Sequence, residues 1–208
     1  MEDIIPFWEK AYGSDNITAF PSEPNKTIVE YEHLLDKDAA ILEVGCGEGQ
    51  NVLYLAKQSF HNIDAFDIST AGIIKLKRLC EINGVNINAF VCDLAKYVFE
   101  KKYDLIMSFA TLCFVEKNVW RQFISGAKDN TNLGGIHIMH IFTDEVPASP
   151  DIAPFAVGLA HSGELKELYG DWEILSFRSY TFEDEHPGVS KHLHSVNKIV
   201  ARKNRLFT

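Results

Sequence analysis

Three glycines at alternate positions, Gly45, Gly47 and Gly49, separate a short apolar run from apolar residues at helical spacing. Glycines at a strand-to-helix turn let the backbone approach a ligand closely, and the N–H groups of the following helix favour a polar or anionic partner. A dinucleotide-binding loop would have its third glycine where this chain has Gln50. The segment therefore predicts a βα unit of an α/β fold. Such loops bind nucleotides of many kinds, and the position of Gln50 makes an NAD-linked oxidoreductase the least favoured function, while a tight turn without a ligand stays open.

Short β-rich runs alternate with helical runs on both sides of this loop, which is typical of a parallel sheet. The predicted strands are Ala40–Val44, Asn62–Phe66, Asn88–Val91, Tyr103–Phe109 and Ile136–Phe142. The predicted helices are Gln50–Ser59, one with Ser69 as its N-cap, one around Asn118–Asn130, and Gly163–Tyr169. Two further strands, Trp172–Tyr180 and about Ser195–Ala201, are joined by a short link, so we expect them to pair antiparallel. The pattern predicts seven strands, mostly parallel, with one antiparallel strand.

A single domain spanning residues 1–208 is expected from the length and from a hydrophobic content of 46%. Residues 1–26 precede the first strand and carry Phe7, Trp8 and Tyr12 on roughly one helical face, so they are either docked on the core or a lid. Residues 143–162 hold three prolines and are too long for a simple connection. Loops of this kind are usually binding elements, so we expect a substrate-side loop there.

Charge and composition restrict the partners. The net charge of −9 argues against nucleic acid, whose binders need a basic groove. No apolar run approaches the roughly 20 residues of a membrane helix, and Met1–Pro6 do not resemble a signal peptide, so we expect a cytoplasmic protein with a small-molecule substrate. Cys46, Cys80, Cys92 and Cys113 lack zinc-finger spacing and are expected to be free thiols. We expect a monomer or a homodimer.

Three acidic residues accompany the glycine loop. Glu43 stands two residues before the first glycine, and Asp67 ends the second strand about 20 residues on, where a carboxylate would accept two ribose hydroxyls. Asp93 follows the third strand and is placed to meet an adenine amine. Two other readings stay open, in which Asp67 caps the next helix and Asp93 is an ordinary turn carboxylate.

Jointly these features resemble the class I S-adenosylmethionine (SAM)-dependent methyltransferases over about Ile41–Phe142. The shared motifs are the E-x-G-x-G-x-G loop, the acidic end of the second strand, Cys92-Asp93-Leu94, Tyr103-Asp104-Leu105-Ile106 and Leu133-Gly134-Gly135. The resemblance implies a Rossmann-like sheet with helices on both faces and SAM as the cofactor. It implies cofactor contacts from Glu43, Gly45, Cys46, Gly47, Gly49, Asn51, Asp67, Ile68, Asp93, Leu94 and Ser108.

The flanking segments are similar to the TehB-type tellurite-resistance methyltransferases. The segments that carry the likeness are Phe7–Tyr12, Pro21–Asn25, Gly49–Ala56, Gly163–Tyr169 and Trp172–Glu173. The family implies methyl transfer to small soft nucleophiles, including tellurium and selenium oxyanions. Such acceptors need alignment and exclusion of water more than a strong base. We expect the substrate pocket to be formed by Trp8, Tyr12, Phe109, Leu112 and Phe155.

Cationic side chains late in the chain are the candidate catalytic groups, namely His186, Lys191 and His194. His192 and His194 would share one face of a strand. Three readings stay open: solvated histidines on an edge strand, contacts to an anionic substrate by protonated imidazoles, or a zinc site from His-x-His and a third His. The spacing is permissive, so we nominate no metal ligand. Two other functions remain open, a methyltransferase for thiols or other organic molecules and a SAM-binding module without catalysis.

Overall fold

One seven-stranded sheet runs through the computed structural model, which describes residues 5–14, 18, 22–186 and 189–204, with the side chains of His186 and Val189 excepted. In chain order the strands are β1 (Ala40–Val44), β2 (Asn62–Asp67), β3 (Asn88–Val91), β4 (Tyr103–Phe109), β5 (Thr131–Phe142), β6 (Glu173–His186) and β7 (Val189–Arg202). Their order in the sheet is β3-β2-β1-β4-β5-β7-β6. Strands β1 to β5 pair in parallel, and β7 pairs antiparallel with both neighbours. The predicted sheet is confirmed.

Helices cover both faces of the sheet. The helices are α1 (Phe7–Tyr12), α2 (Lys26–Tyr31), α3 (Gln50–Lys57), α4 (Thr70–Asn83), α5 (Lys117–Asp129) and α6 (Glu164–Leu168). Side chains of α2, α3 and α4 pack on one face, and those of α5 and α6 pack on the other. Neighbouring residues Ile41 and Leu42 of β1 enter opposite cores and are both fully buried, as expected for a central parallel strand.

Local chemistry explains where α4 begins and ends. The side chain of Ser69 accepts a 3.0 Å hydrogen bond from the Gly72 N–H, so the predicted N-cap is confirmed. At the other end Gly84 adopts a left-handed conformation with φ of +63°, the usual helix stop. Since α4 follows β2 directly, its N-terminus lies at the edge of the sheet where the parallel strands end.

The terminal hairpin is longer than the sequence predicted. Strands β6 and β7 continue to His186 and begin again at Val189, beyond the predicted ends at Tyr180 and Ser195. Described side chains between 181 and 193 are exposed or half-buried, so this part of the hairpin lacks the apolar alternation by which strands are recognised. Cross-strand hydrogen bonding, and not burial, makes it a strand.

Two further expectations concern the whole chain. All four cysteines are free thiols, as predicted, and three of them are buried. Within the described residues no helix is long and apolar enough to cross a membrane.

Candidate active site

A cleft of about 1520 Å³ opens where the parallel strands end. Its size exceeds the roughly 300–1,000 Å³ of a one-ligand pocket, so it has room for a cofactor and a second molecule. Helix α1, residues 151–157 and the β6–β7 hairpin form its outer walls. The predicted residues that line it are Trp8, Tyr12, Gly45, Asp67, Ile68, Asp93, Leu94, Phe109, Phe155 and His194.

Other residues of the chain pack closely against the glycine loop. Gly45 and Gly47 have φ of +69° and +54°, in the region that side chains disfavour. A Cβ atom on Gly45 would lie 2.0 Å from Thr111 Oγ1, and one on Gly47 would lie 2.2 Å from Tyr12 Oη. The loop therefore requires glycine for packing as well as for ligand approach. From the sequence, residues 110–114 are expected to form apolar pocket walls, and Thr111 does line the cleft. Its contact with the glycine loop was not predicted, because only the pairing of β1 with β4 brings it here.

Asp67 connects the glycine loop to the end of β2. Its Oδ2 accepts a 2.8 Å hydrogen bond from the Gly47 N–H, and its Oδ1 accepts one of 2.8 Å from the Ser69 N–H. Each carboxylate oxygen has a second lone pair, and the side chain lines the cleft. Burial raises the pKa of Asp67 above its usual value. Beside it Ile68 is 64% exposed and offers an apolar surface in the cleft.

Glu43 lies beneath the loop and is only 2% exposed. Its Oε1 accepts a 2.6 Å hydrogen bond from Asn51 Nδ2, and Asn51 Oδ1 accepts one of 2.9 Å from the Asn25 N–H. Burial raises the pKa of Glu43 to about 8. Within the described part of the chain, neither Glu43 Oε2 nor the buried Ser108 Oγ has a hydrogen-bond partner. Buried polar atoms are normally bonded, so these two atoms lack their usual partners, although neither residue is among those that line the cleft.

The predicted adenine-side residues lie on one short turn. Asp93 Oδ1 accepts a 2.9 Å hydrogen bond from the Ala95 N–H and so caps the turn at residues 94–96. This hydrogen bond supports the interpretation of Asp93 as an ordinary turn carboxylate, although Asp93 also lines the cleft. Leu94 is buried and borders the same space.

Aromatic side chains from separate segments meet over the cleft. The Trp8 ring of α1 lies 4.6 Å from the Phe114 ring and 5.2 Å from the Phe155 ring, measured between centroids. Helix α1 and the predicted substrate-side loop are therefore in contact, as a lid would require. Leu112, predicted as a pocket wall, is instead fully buried in the core and does not line the cleft.

The hairpin brings one of the predicted catalytic residues to the cleft. His194 lines the cleft, is 5% exposed, and stacks on Phe142 at 4.6 Å. Lys191 does not line it, because residues 191 and 194 have opposite parity on β7, and it pairs with Glu183 at 2.7 Å. The side chain of His186 lies outside the described residues. Asp184, which the sequence analysis did not nominate, also lines the cleft.

Comparison with known proteins assigns this architecture to a family. The sequence profile described as tellurite resistance protein TehB matches residues 9–188. The chain belongs to the TehB family. The predicted family and the predicted class I methyltransferase fold are therefore confirmed.

Individual relatives agree with this assignment. A probable S-adenosyl-L-methionine-dependent methyltransferase TehB from Haemophilus influenzae is 31% identical over 139 residues, or 66% of this chain. The chain spans about half of that relative, 47% of its length. The crystal structure of TehB from Haemophilus influenzae superposes with a TM-score of 0.77 at 25% identity, covering 95% of this chain and 66% of that one.

A more distant structure shares the fold alone. Magnesium protoporphyrin IX methyltransferase from Synechocystis PCC 6803, solved with bound SAM, gives a TM-score of 0.60 at 15% identity. That match covers 86% of this chain and 76% of the other.

Proposed function

We propose that this chain transfers the methyl group of SAM to a small soft nucleophile, with tellurite- and selenite-type oxyanions as the first candidates. The observation that carries the proposal is one continuous cleft with two kinds of wall. Gly45 and Asp67 line it where β1 and β2 end, and Phe155 and His194 line it from the 143–162 loop and the terminal hairpin. Cofactor and acceptor would then meet without crossing bulk water. The free cysteines favour a reducing compartment, so we propose a cytoplasmic location.

The wall at the glycine loop fits SAM. Asp67 has unused lone pairs for the two ribose hydroxyls, and its orientation is set by the Gly47 and Ser69 N–H groups. Ile68 and Leu94 supply apolar surface for the adenine ring. Glu43 and Ser108 do not line the cleft, so their unpartnered atoms are assigned no cofactor contact.

The opposite wall supports transfer by positioning. SAM supplies an electrophilic methyl group, which a soft nucleophile attacks in line without strong-base assistance. The aromatic contact of Trp8 with Phe155 would let these segments close over a bound acceptor, and such closure excludes water and strengthens alignment. His194 would hold an anionic acceptor in its protonated form.

A thiol methyltransferase is the second candidate. A thiol must lose its proton to react well, and His194 with Asp184 places an imidazole and a carboxylate on the cleft wall. In its neutral form His194 could take that proton. The two candidates differ in the acceptor and share every cofactor contact.

Calorimetric titration with SAM and with its demethylated product tests the proposal. We expect micromolar binding by the wild type, at least tenfold weaker binding by Asp67→Ala, and no change in Asp38→Ala, which removes an exposed carboxylate outside the cleft. Turnover is then followed as demethylated cofactor formed with tellurite, selenite and small thiols. Absence of binding by the wild type would overturn the proposal. Binding with no turnover on any acceptor would favour a SAM-binding module.

A further inference from the structure

Three potential metal ligands converge on one face of the β6–β7 hairpin. Asp184 pairs with His192 across the hairpin, and His194 follows two residues later on the same face. One ligand atom of each lies within 4.8 Å of the other two. The Nε2 atoms of His192 and His194 are 2.9 Å apart, and His194 Nε2 is 3.9 Å from Asp184 Oδ2.

These spacings are close to those of a coordinated ion. Tetrahedral zinc with bonds of about 2.0–2.1 Å places neighbouring ligand atoms about 3.3 Å apart. The two distances at His194 bracket that value. Rotation of the exposed Asp184 side chain towards His194, together with a slight separation of the two imidazole nitrogens, would complete the geometry.

The tautomer of His192 also suits a metal ligand. Its Nδ1 lies 2.8 Å from the carbonyl oxygen of Ser190. A carbonyl oxygen can only accept, so Nδ1 carries a proton. In the neutral ring Nε2 then accepts the 2.9 Å hydrogen bond from His194 Nε2, and a metal ion would take the place of that shared proton. Metal-binding histidines are commonly oriented by such a hydrogen bond from the second ring nitrogen.

The neighbouring ring is held in place by aromatic packing. His194 stacks on Phe142 and has Phe182 at 5.5 Å between ring centroids. A ring packed in this way gives up little further freedom when it binds an ion. His194 and Asp184 both line the cleft, so the coordination side that they leave open faces the proposed acceptor.

We infer that Asp184, His192 and His194 form a binding site for a divalent transition metal ion, with Zn²⁺ as the ion that the donor set fits best. The sequence nominated no metal ligand and considered a third histidine, whereas the hairpin register supplies Asp184. Sites with three protein ligands keep a further position for water or substrate.

The position that remains open has a role that rests on the second candidate function, transfer to a thiol-type acceptor, in which His194 is not protonated. A thiol or selenol acceptor would bind there as its anion and release its proton to solvent. Its sulfur or selenium would then form the bond to the methyl carbon as the bond from that carbon to the SAM sulfur breaks. The soft acceptor would thus be activated by the metal and positioned on the cleft wall.

Metal binding is tested without SAM, so that its outcome is independent of methyl transfer. The full chain is freed of metal by dialysis against a chelator and titrated with Zn²⁺ alone. We expect one ion per chain, and at least tenfold weaker binding in Asp184→Asn and His192→Gln. His61→Gln, which alters an exposed histidine outside the cluster, should bind as the wild type does. Thermal melting of each apoprotein verifies that the variants are folded.

Two outcomes would overturn the inference: no zinc bound by the wild type, or equal affinity in the wild type, Asp184→Asn and His192→Gln. If SAM binding is intact in that event, the proposed function stands without a metal. If zinc binds and SAM does not, the metal site stands and the proposed function fails.

Discussion

Asn51 Nδ2 donates a 2.6 Å hydrogen bond to Glu43 Oε1 directly beneath the glycine loop. Asn51 belongs to the first turn of α3 and Glu43 to β1, so the bond connects the strand to the helix across the turn. The bond lowers the pKa of the carboxyl, yet burial outweighs it and raises the pKa to about 8. Near neutral pH the carboxyl therefore keeps its proton in the free protein.

Glu43→Gln should remove a pH dependence of stability. The pKa of Glu43 rises on folding from 4.5 to about 8, so the folded chain binds this proton more tightly than the unfolded chain. The resulting stability is complete below pH 4.5 and is lost as the pH rises to about 8, at up to about 1.4 kcal/mol per pH unit. We expect the wild type to lose stability relative to Glu43→Gln across this range in urea unfolding. Glu30→Gln alters an exposed site, so its unfolding free energy should change with pH as that of the wild type does. The same pH dependence in Glu43→Gln as in the wild type would refute the prediction.

Gly47→Ala should destabilise the fold through Tyr12. The new Cβ would lie 2.2 Å from Tyr12 Oη and would add backbone strain of about 1–2 kcal/mol at positive φ. Gly84→Ala is the matched control, because Gly84 has a similar φ of +63° and open space around it. We expect Gly47→Ala to lower the free energy of unfolding by about 1 kcal/mol more than Gly84→Ala. The extra loss of unfolding free energy in Gly47→Ala should disappear when Tyr12 is also changed to Ala. If the extra loss persists in that double variant, the clash is not with Tyr12.

Trp8 should report closure of the cleft. It lines the cleft, whereas Trp120 and Trp172 are buried in the core. On the proposed function, saturating SAM changes the environment of Trp8 and shifts tryptophan emission. We expect the shift to vanish in Trp8→Phe and to remain in Trp172→Phe. A shift that survives in Trp8→Phe would mean that α1 does not respond to the cofactor.

Tyr169→Phe should cost about 1–3 kcal/mol of unfolding free energy. Thr131 Oγ1 donates to the Ala127 carbonyl at 2.6 Å, so the His137 Nε2 atom 2.7 Å away must donate to Thr131. His137 Nδ1 is then an acceptor for the Tyr169 hydroxyl at 2.6 Å. Burial lowers the pKa of His137 to about 3, which keeps the ring neutral. Without the hydroxyl, a buried ring nitrogen loses its donor.

Chemical denaturation of Tyr169→Phe beside Tyr180→Phe measures this cost. Tyr180 lies on β6 and is 37% exposed, so removal of its hydroxyl should change stability by less than about 0.5 kcal/mol. Equal stability of the two variants would show that water or another group satisfies the His137 nitrogen.

The residues on the cofactor side of the cleft could be predicted from the sequence, because each of them directly follows a strand. Gly45, Asp67 and Asp93 each come at the carboxyl end of a parallel strand, and such ends meet at one edge of a sheet. Their position in the sequence, directly after a strand, therefore predicts their position in space. The acceptor side depends on pairings between distant segments, so the contact of Thr111 with Gly45 and the place of Asp184 on the cleft wall were not predicted.

The sequence also failed to predict the direction of two side chains, those of Lys191 and Leu112. Lys191 was expected beside His194, but the alternation of β7 turns it to the opposite face, where Glu183 binds it. Leu112 was expected in the pocket, but the short turn at residues 112–114 points it into the core. In both cases the register or turn geometry, which no local pattern encodes, decided the outcome.

The sequence by itself determined the alternating α/β order, the glycine turn, the acids that follow the strands and the resemblance to the TehB family. These depend on periodicity and on neighbours close in the chain, where backbone stereochemistry and burial leave few choices. Only the tertiary structure decided which side chains come together: Trp8 with Phe155, Tyr12 with Gly47, and Asp184 with His192 and His194. Those encounters follow from sheet order and hairpin register, which arise from the packing of the whole chain.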